Sequence, residues 1–88
     1  MRENSAGKRM SVTGGQIRAA RALLDLSAQD LADITKLSRG TIQRAELESA
    51  QVTRVNVERI VEVLEARGVI FIASNGEGPG VRIRKSKK

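Results

Sequence analysis

The chain contains no cysteine and no histidine among its 88 residues. Without thiols there is no disulfide scaffold, and without thiols or imidazoles the usual zinc sites cannot be built. The commonest general base is missing as well, so no serine, threonine or lysine has a histidine to activate it. The longest apolar run, residues 68–73, is far too short to span a membrane. No N-terminal apolar stretch resembles a signal peptide. The expectation is a cytoplasmic protein of one domain, with a modest core and no room for a walled catalytic cleft. The available acidic pairs, Asp30 with Asp33 and Glu58 with Glu62 or Glu65, have helical spacing and basic neighbours, and read as solvated helix faces. The Gly76-Glu77-Gly78-Pro79-Gly80 stretch lies between strand-like segments and lacks the lysine and serine of a phosphate cradle, so it reads as a turn. No enzyme, metal site or cofactor is expected.

What is present is positive charge, unevenly placed. The net charge is +6. Residues 1–12 carry +2, residues 13–47 carry +1, residues 48–68 carry −1 and residues 69–88 carry +4. Basic ends around a near-neutral body suit a protein that rests on a polyanion, where each neutralised phosphate releases counterions. They would equally keep a small protein soluble.

Residues 27–46 are the most informative stretch. Ser27 and Asp30 have the spacing of a capping box, and Ser38 begins a second helix in the same way after a short turn through Lys36 and Leu37. Two short helices joined by such a turn form a helix-turn-helix, whose second helix lies in the major groove of DNA. That helix offers Arg39, Gly40, Thr41, Gln43 and Arg44, a set suited to reading bases and gripping phosphate.

Periodicity divides the rest. Residues 1–12 are polar and aperiodic, and read as a flexible basic arm. Residues 13–68 form the helix-turn-helix domain. Thr13 caps a first helix to about Leu24, with Ile17, Ala20 and either Leu23 or Leu24 buried. Leu31, Ala32, Ile34, Leu37, Ile42 and Ala45 point inward from the next two helices. A polar connection from Glu48 to Val55, with room for a helical turn, leads to a helix capped by Asn56. That helix buries Val57, Ile60, Val61 and Leu64 and stops at Gly68. Residues 69–84 change to a period of two and read as a β-hairpin, and 85–88 are a basic tail. Val69, Phe71, Val81 and Ile83 need a surface to cover, either the helices or a second hairpin across a two-fold axis. The fold class is mostly α: four to five helices and a C-terminal hairpin.

Residues 13–46 resemble the lambda-repressor-like, or XRE-type, helix-turn-helix family, through 17–24, Ser27 with Leu31-Ala32, and 37–46. The Leu64-Glu65, Gly68-Val69 and Phe71 pattern leading into Gly78-Pro79-Gly80-Val81-Arg82 is similar to the tail of small bacterial members. The resemblance implies that Ser38, Arg39, Gly40 and Arg44 touch bases and adjacent phosphates, flanked by Thr41 and Gln43. It also implies a structural salt bridge between Arg21 and Glu46. Where the family usually has glutamine after the capping serine, this chain has Ala28; either Gln29, one residue later, substitutes as a contact, or the second helix contributes only its N-terminal N–H groups. Ser27, Lys36, Lys8 and Arg9 are candidate phosphate contacts.

Arg39, near the start of its helix, suits a bidentate contact to guanine, and Arg44 suits the same or a phosphate. Gly40 either permits close backbone approach or is merely tolerated. Two functions follow. One is a sequence-specific transcriptional regulator, a repressor or autoregulator, binding double-stranded DNA as a homodimer. The other is a protein-binding module on the same scaffold, an antiactivator or antitoxin that grips another regulator or a toxin through the hairpin or a helix face.

Overall fold

The computed structural model describes residues 12–74 and 76–84. Four helices and two strands follow in chain order: α1 Gly14–Leu23, α2 Ala28–Thr35, α3 Arg39–Glu46, α4 Arg54–Ala66, β1 Val69–Ile72 and β2 Gly80–Ile83. Each helix opens on a hydroxyl side chain (Thr13, Ser27, Ser38 and Thr53) that accepts the backbone N–H three residues on. Helices of eight to thirteen residues are marginal alone, so these caps and the packing they allow sustain them.

The expected Asn56 cap is corrected to Thr53. The Thr53 hydroxyl accepts the Asn56 N–H at 3.1 Å, which places Asn56 one turn inside the helix. The connection before it consists of turns, so the described residues hold four helices, not five. At the far end Gly68 adopts φ +102°, a left-handed conformation that glycine takes without a Cβ penalty. Its carbonyl then accepts the Arg84 N–H, closing the hairpin.

The core unites Ile17, Ala20, Leu31, Ala32, Ile42, Ala45, Ile60, Leu64 and Val69. On α1 it is Leu24 that packs against this cluster, while Leu23 is half exposed. Ile34, expected inward, is only half-buried. Thr35 takes the buried place instead, because its hydroxyl donates to the Leu31 carbonyl at 2.7 Å and so enters the core satisfied.

The hairpin is antiparallel, pairing Val69 with Ile83 and Phe71 with Val81 on one face. That face covers the helices. Val69 is in the core and Phe71 and Val81 pack against it, leaving Ile83 the one clearly exposed member. Of the two surfaces the pattern allowed, the helical domain takes Val69 into its core and packs against Phe71 and Val81, while Ile83 stays exposed.

Gln16 holds the hairpin in place. It is 6% exposed, and its amide nitrogen donates to the Ile72 carbonyl at 3.1 Å and the Gly80 carbonyl at 2.9 Å. These residues face each other at the end of the ladder. Its amide oxygen accepts the Thr13 N–H at 2.9 Å, completing a capping box. One side chain thus satisfies a helix start and two strand ends.

Gly14 makes the closest approach. A Cβ there would fall 2.6 Å from the Glu46 carbonyl carbon, nearer still to its oxygen, and 2.9 Å from the Ala45 oxygen. Gly14→Ala is expected to destabilise by at least about 1–3 kcal/mol through overpacking against backbone that cannot rotate away. Gln16→Leu is expected to cost about 1–3 kcal/mol by orphaning two carbonyls. In thermal melts each kcal/mol corresponds to roughly 4–8 °C for a domain of this size.

Candidate nucleic-acid interface

Lys36 ends α2 in the left-handed region at φ 65°, Leu37 tucks against the core, and Ser38 begins α3. A turn of three residues therefore separates the two helices. Its start is secured from α4, where the Arg59 guanidinium donates to the Thr35 carbonyl at 2.6 Å, placing positive charge at the C-terminal end of α2. Its exit is the Ser38 cap, whose hydroxyl accepts the Thr41 N–H at 3.0 Å. The second half of a capping box is not formed. The Thr41 hydroxyl meets the Ser38 hydroxyl at 2.9 Å instead, since threonine is too short to reach back to the Ser38 N–H.

The other end of α3 is fixed by Arg21. Its guanidinium donates to both Glu46 carboxylate oxygens, at 2.7 and 3.1 Å, and to the Leu26 carbonyl at 3.1 Å. The Glu46 hydrogen bond raises the Arg21 pKa further above its ordinary range, and a charge-assisted fork of this kind fixes angle as well as distance. Glu48, at φ 57°, turns its carboxylate back to accept the Gly14 N–H at 2.6 Å, where the start of α1 favours negative charge.

With both ends held, α3 buries Ile42 and Ala45 and turns its opposite side outward. Arg39 and Gln43 are exposed, and Gly40, Thr41 and Arg44 are half-buried. Arg44 lies back along the helix. Its guanidinium donates to the Thr41 hydroxyl at 3.3 Å and passes over Gly40, where a Cβ would meet its nearest nitrogen at 3.3 Å. Ser38, Thr41 and Arg44 thus form a ladder of polar contacts, and the missing Gly40 side chain makes room for it.

At the start of α2, Ser27 and Asp30 form the reciprocal box, each bond at 2.9 Å. Gln29 is exposed but donates to Asp33 at 2.9 Å on its own helix. Lys36 is exposed at the turn. Lys8 and Arg9 lie outside the described residues. Sequence reasoning missed Gly14, Gln16 and Arg59. The Thr13 to Gln16 spacing is a capping-box signal that would have placed Gln16 at the helix start, but nothing local foretells its reach to the hairpin or that of Arg59 to α2.

The helix-turn-helix family model matches residues 17–68, from the first turn of α1 to the stop of α4. The chain belongs to the XRE-type, lambda-repressor-like helix-turn-helix family. A comparison with curated proteins finds no match. This XRE-type chain is a DNA-binding helix-turn-helix regulator, from a family that is regulatory and not enzymatic. No described helix is long and apolar enough to cross a membrane. The hairpin follows the matched span, so its attachment through Gln16 is an addition to the helical unit.

Gly40→Ala is expected to raise helix stability by up to about 1 kcal/mol, measured by thermal melting, while displacing the Arg44 guanidinium. The Asp30 carboxyl is held below its ordinary value of 3.8, first by the Ser27 N–H and then by its hydroxyl. A lowered folded-state pKa gives stability that is present above the unfolded value and lost as pH falls through the folded one. The melting difference between wild type and Asp30→Asn should therefore hold at neutral pH and shrink below pH 3.8.

Proposed function

We propose that this regulator reads a specific DNA sequence with α3 in the major groove and represses transcription by occluding a promoter, its own among the candidates. The observation that carries this reading is the outward side of α3. Two guanidinium groups, the Gln43 amide and the Ser38 and Thr41 hydroxyls are gathered on one short helix clamped at both ends. In an exposed recognition helix such groups match base-edge acceptors and phosphate oxygens. Clamping matters because an ordered helix loses little freedom on binding, so more of each contact appears as affinity.

Arg39 is exposed at the first helical position and is the best placed to fork onto guanine, discriminating by about 1–3 kcal/mol. Arg44, restrained by Thr41, reads a base or grips a phosphate from a fixed position. The first turn of α2, with Ser27 and Gln29, supplies phosphate contacts. A homodimer would place two such helices about 34 Å apart on a pseudo-palindrome. For the alternative, a protein-binding module acting through the hairpin or a helix face, the hairpin route is the weaker one, because most of its apolar face packs on the helices.

Binding to the DNA upstream of the protein's own coding region, titrated with salt against a scrambled duplex of equal length, tests this reading. We expect preference for the native duplex by about a thousandfold or more. Arg39→Ala should relax discrimination at one base position, while removing Lys85, Lys87 and Lys88 should weaken both duplexes alike and flatten the salt slope. Equal, weak binding to both duplexes would refute sequence reading.

A further inference from the structure

We infer that Thr41 is a positioning residue that aims the Arg44 guanidinium at a base, so that the DNA site carries two adjoining G·C pairs, one read by Arg39 and one by Arg44. This deepens the reading proposed above and rests on it. The Arg44 guanidinium does not extend freely from its own position. It lies back over Gly40, where a Cβ would fall 3.3 Å from Nη1 and 3.9 Å from the central carbon, while Nη2 donates to the Thr41 hydroxyl at 3.3 Å. A guanidinium has no acceptor, so Thr41 accepts there, and its own proton is free for the Ser38 hydroxyl 2.9 Å away. The Ser38 oxygen is fixed in turn by the Thr41 N–H at 3.0 Å. The cap that starts α3 thus anchors a chain of hydrogen bonds that ends on Arg44.

Position on the helix decides base over phosphate. Counting about 100° per residue, Arg39, Gln43, Gly40 and Arg44 follow one another around an arc of about 140°, opposite the buried Ile42 and Ala45. Gly40 lies inside that arc, so a guanidinium above it faces the base edges on the groove floor, while phosphates line the walls. Its level along the helix matters equally. Folding back by four residues brings the charge beside Arg39 instead of about 6 Å further along. Two forks at the start of one helix match the N7 and O6 acceptors of two neighbouring guanines, on the same strand or on opposite ones. Thr41 takes one N–H of Arg44 and leaves the others to the base. Glycine at position 40 is part of the same device, because its absent side chain lets Arg44 read where residue 40 would.

Selection of bound duplexes from a library with a randomised core tests this, using the full chain as wild type, Arg39→Ala, Arg44→Ala, Thr41→Val and Thr41→Ser. The wild type should enrich two adjoining G·C pairs. Arg39→Ala should lose preference at one pair and Arg44→Ala at the other, each by about tenfold or more. Thr41→Val keeps the side-chain shape and the N–H bond to Ser38 but removes the hydroxyl. It should reproduce the Arg44→Ala profile and leave the Arg39 pair intact, and Thr41→Ser should restore the lost preference. A merely structural Thr41 would weaken all sequences alike. If Thr41→Val fails to fold, Gly40→Ala decides the matter: the helix gains stability, yet the preference at the Arg44 pair alone should fall. A Thr41→Val profile identical to wild type, an Arg44→Ala variant that weakens every sequence equally, or two preferences that do not adjoin would overturn the inference and leave sequence reading intact. A wild type that enriches no sequence would refute sequence reading itself, and this inference with it.

Discussion

The contact between the start of α1 and the end of α3 governs the rest of the structure. Backbone meets backbone there, with no room for even a methyl group at Gly14. Three polar interactions converge on the junction: the Arg21 fork onto Glu46, the Glu48 carboxylate on the Gly14 N–H, and Arg18 near the Glu46 carbonyl at 3.5 Å. An eight-residue helix has little stability of its own, so its orientation is set by what holds its ends. Arg21 and Glu48 hold the end of α3, Ser38 caps its start, and Arg59 steadies the turn before it. The result is a short helix whose outward face is ordered before any DNA arrives.

The same logic explains the buried polar side chains. Gln16 and Thr35 are the buried polar residues of the described core, and both are satisfied by backbone carbonyls. Thr35 bonds within its own helix and so costs little. Gln16 reaches across the domain and converts a two-stranded hairpin, which is marginal alone, into a covering layer for α1 and α4. A polar group that bonds only in one register specifies that register, because any slip of the hairpin would leave buried donors and acceptors unpaired. The hairpin's apolar face is thereby spent inside the molecule, and the exposed apolar groups that remain lie chiefly elsewhere, at Leu47 and Val55.

Much of the candidate site was legible because it is local. Caps at Thr13, Ser27 and Ser38 follow from serine and threonine placed before apolar periodicity. The outward set on α3 follows from which positions alternate with Ile42 and Ala45. The Arg21 to Glu46 pair was implied by resemblance to the family, not by spacing, since 25 residues separate them. Asparagine is a good cap, so Asn56 reads as one from local sequence alone. Thr53 won because the helix could extend one turn further and remain capped.

What the sequence by itself determined is the set of short-range choices: the caps of the first three helices, the tight turn, the change of period at Gly68, and the basic polar character of α3. These depend on residues three or four apart, whose interactions survive in almost any surrounding. What only the tertiary structure decided is which distant groups meet. Gln16 meets the hairpin, Arg59 meets α2, Gly14 touches the Glu46 backbone, and Val69, Phe71 and Val81 turn inward. Those contacts span 24 to 64 residues. Their existence depends on the relative placement of whole elements, which no local pattern encodes.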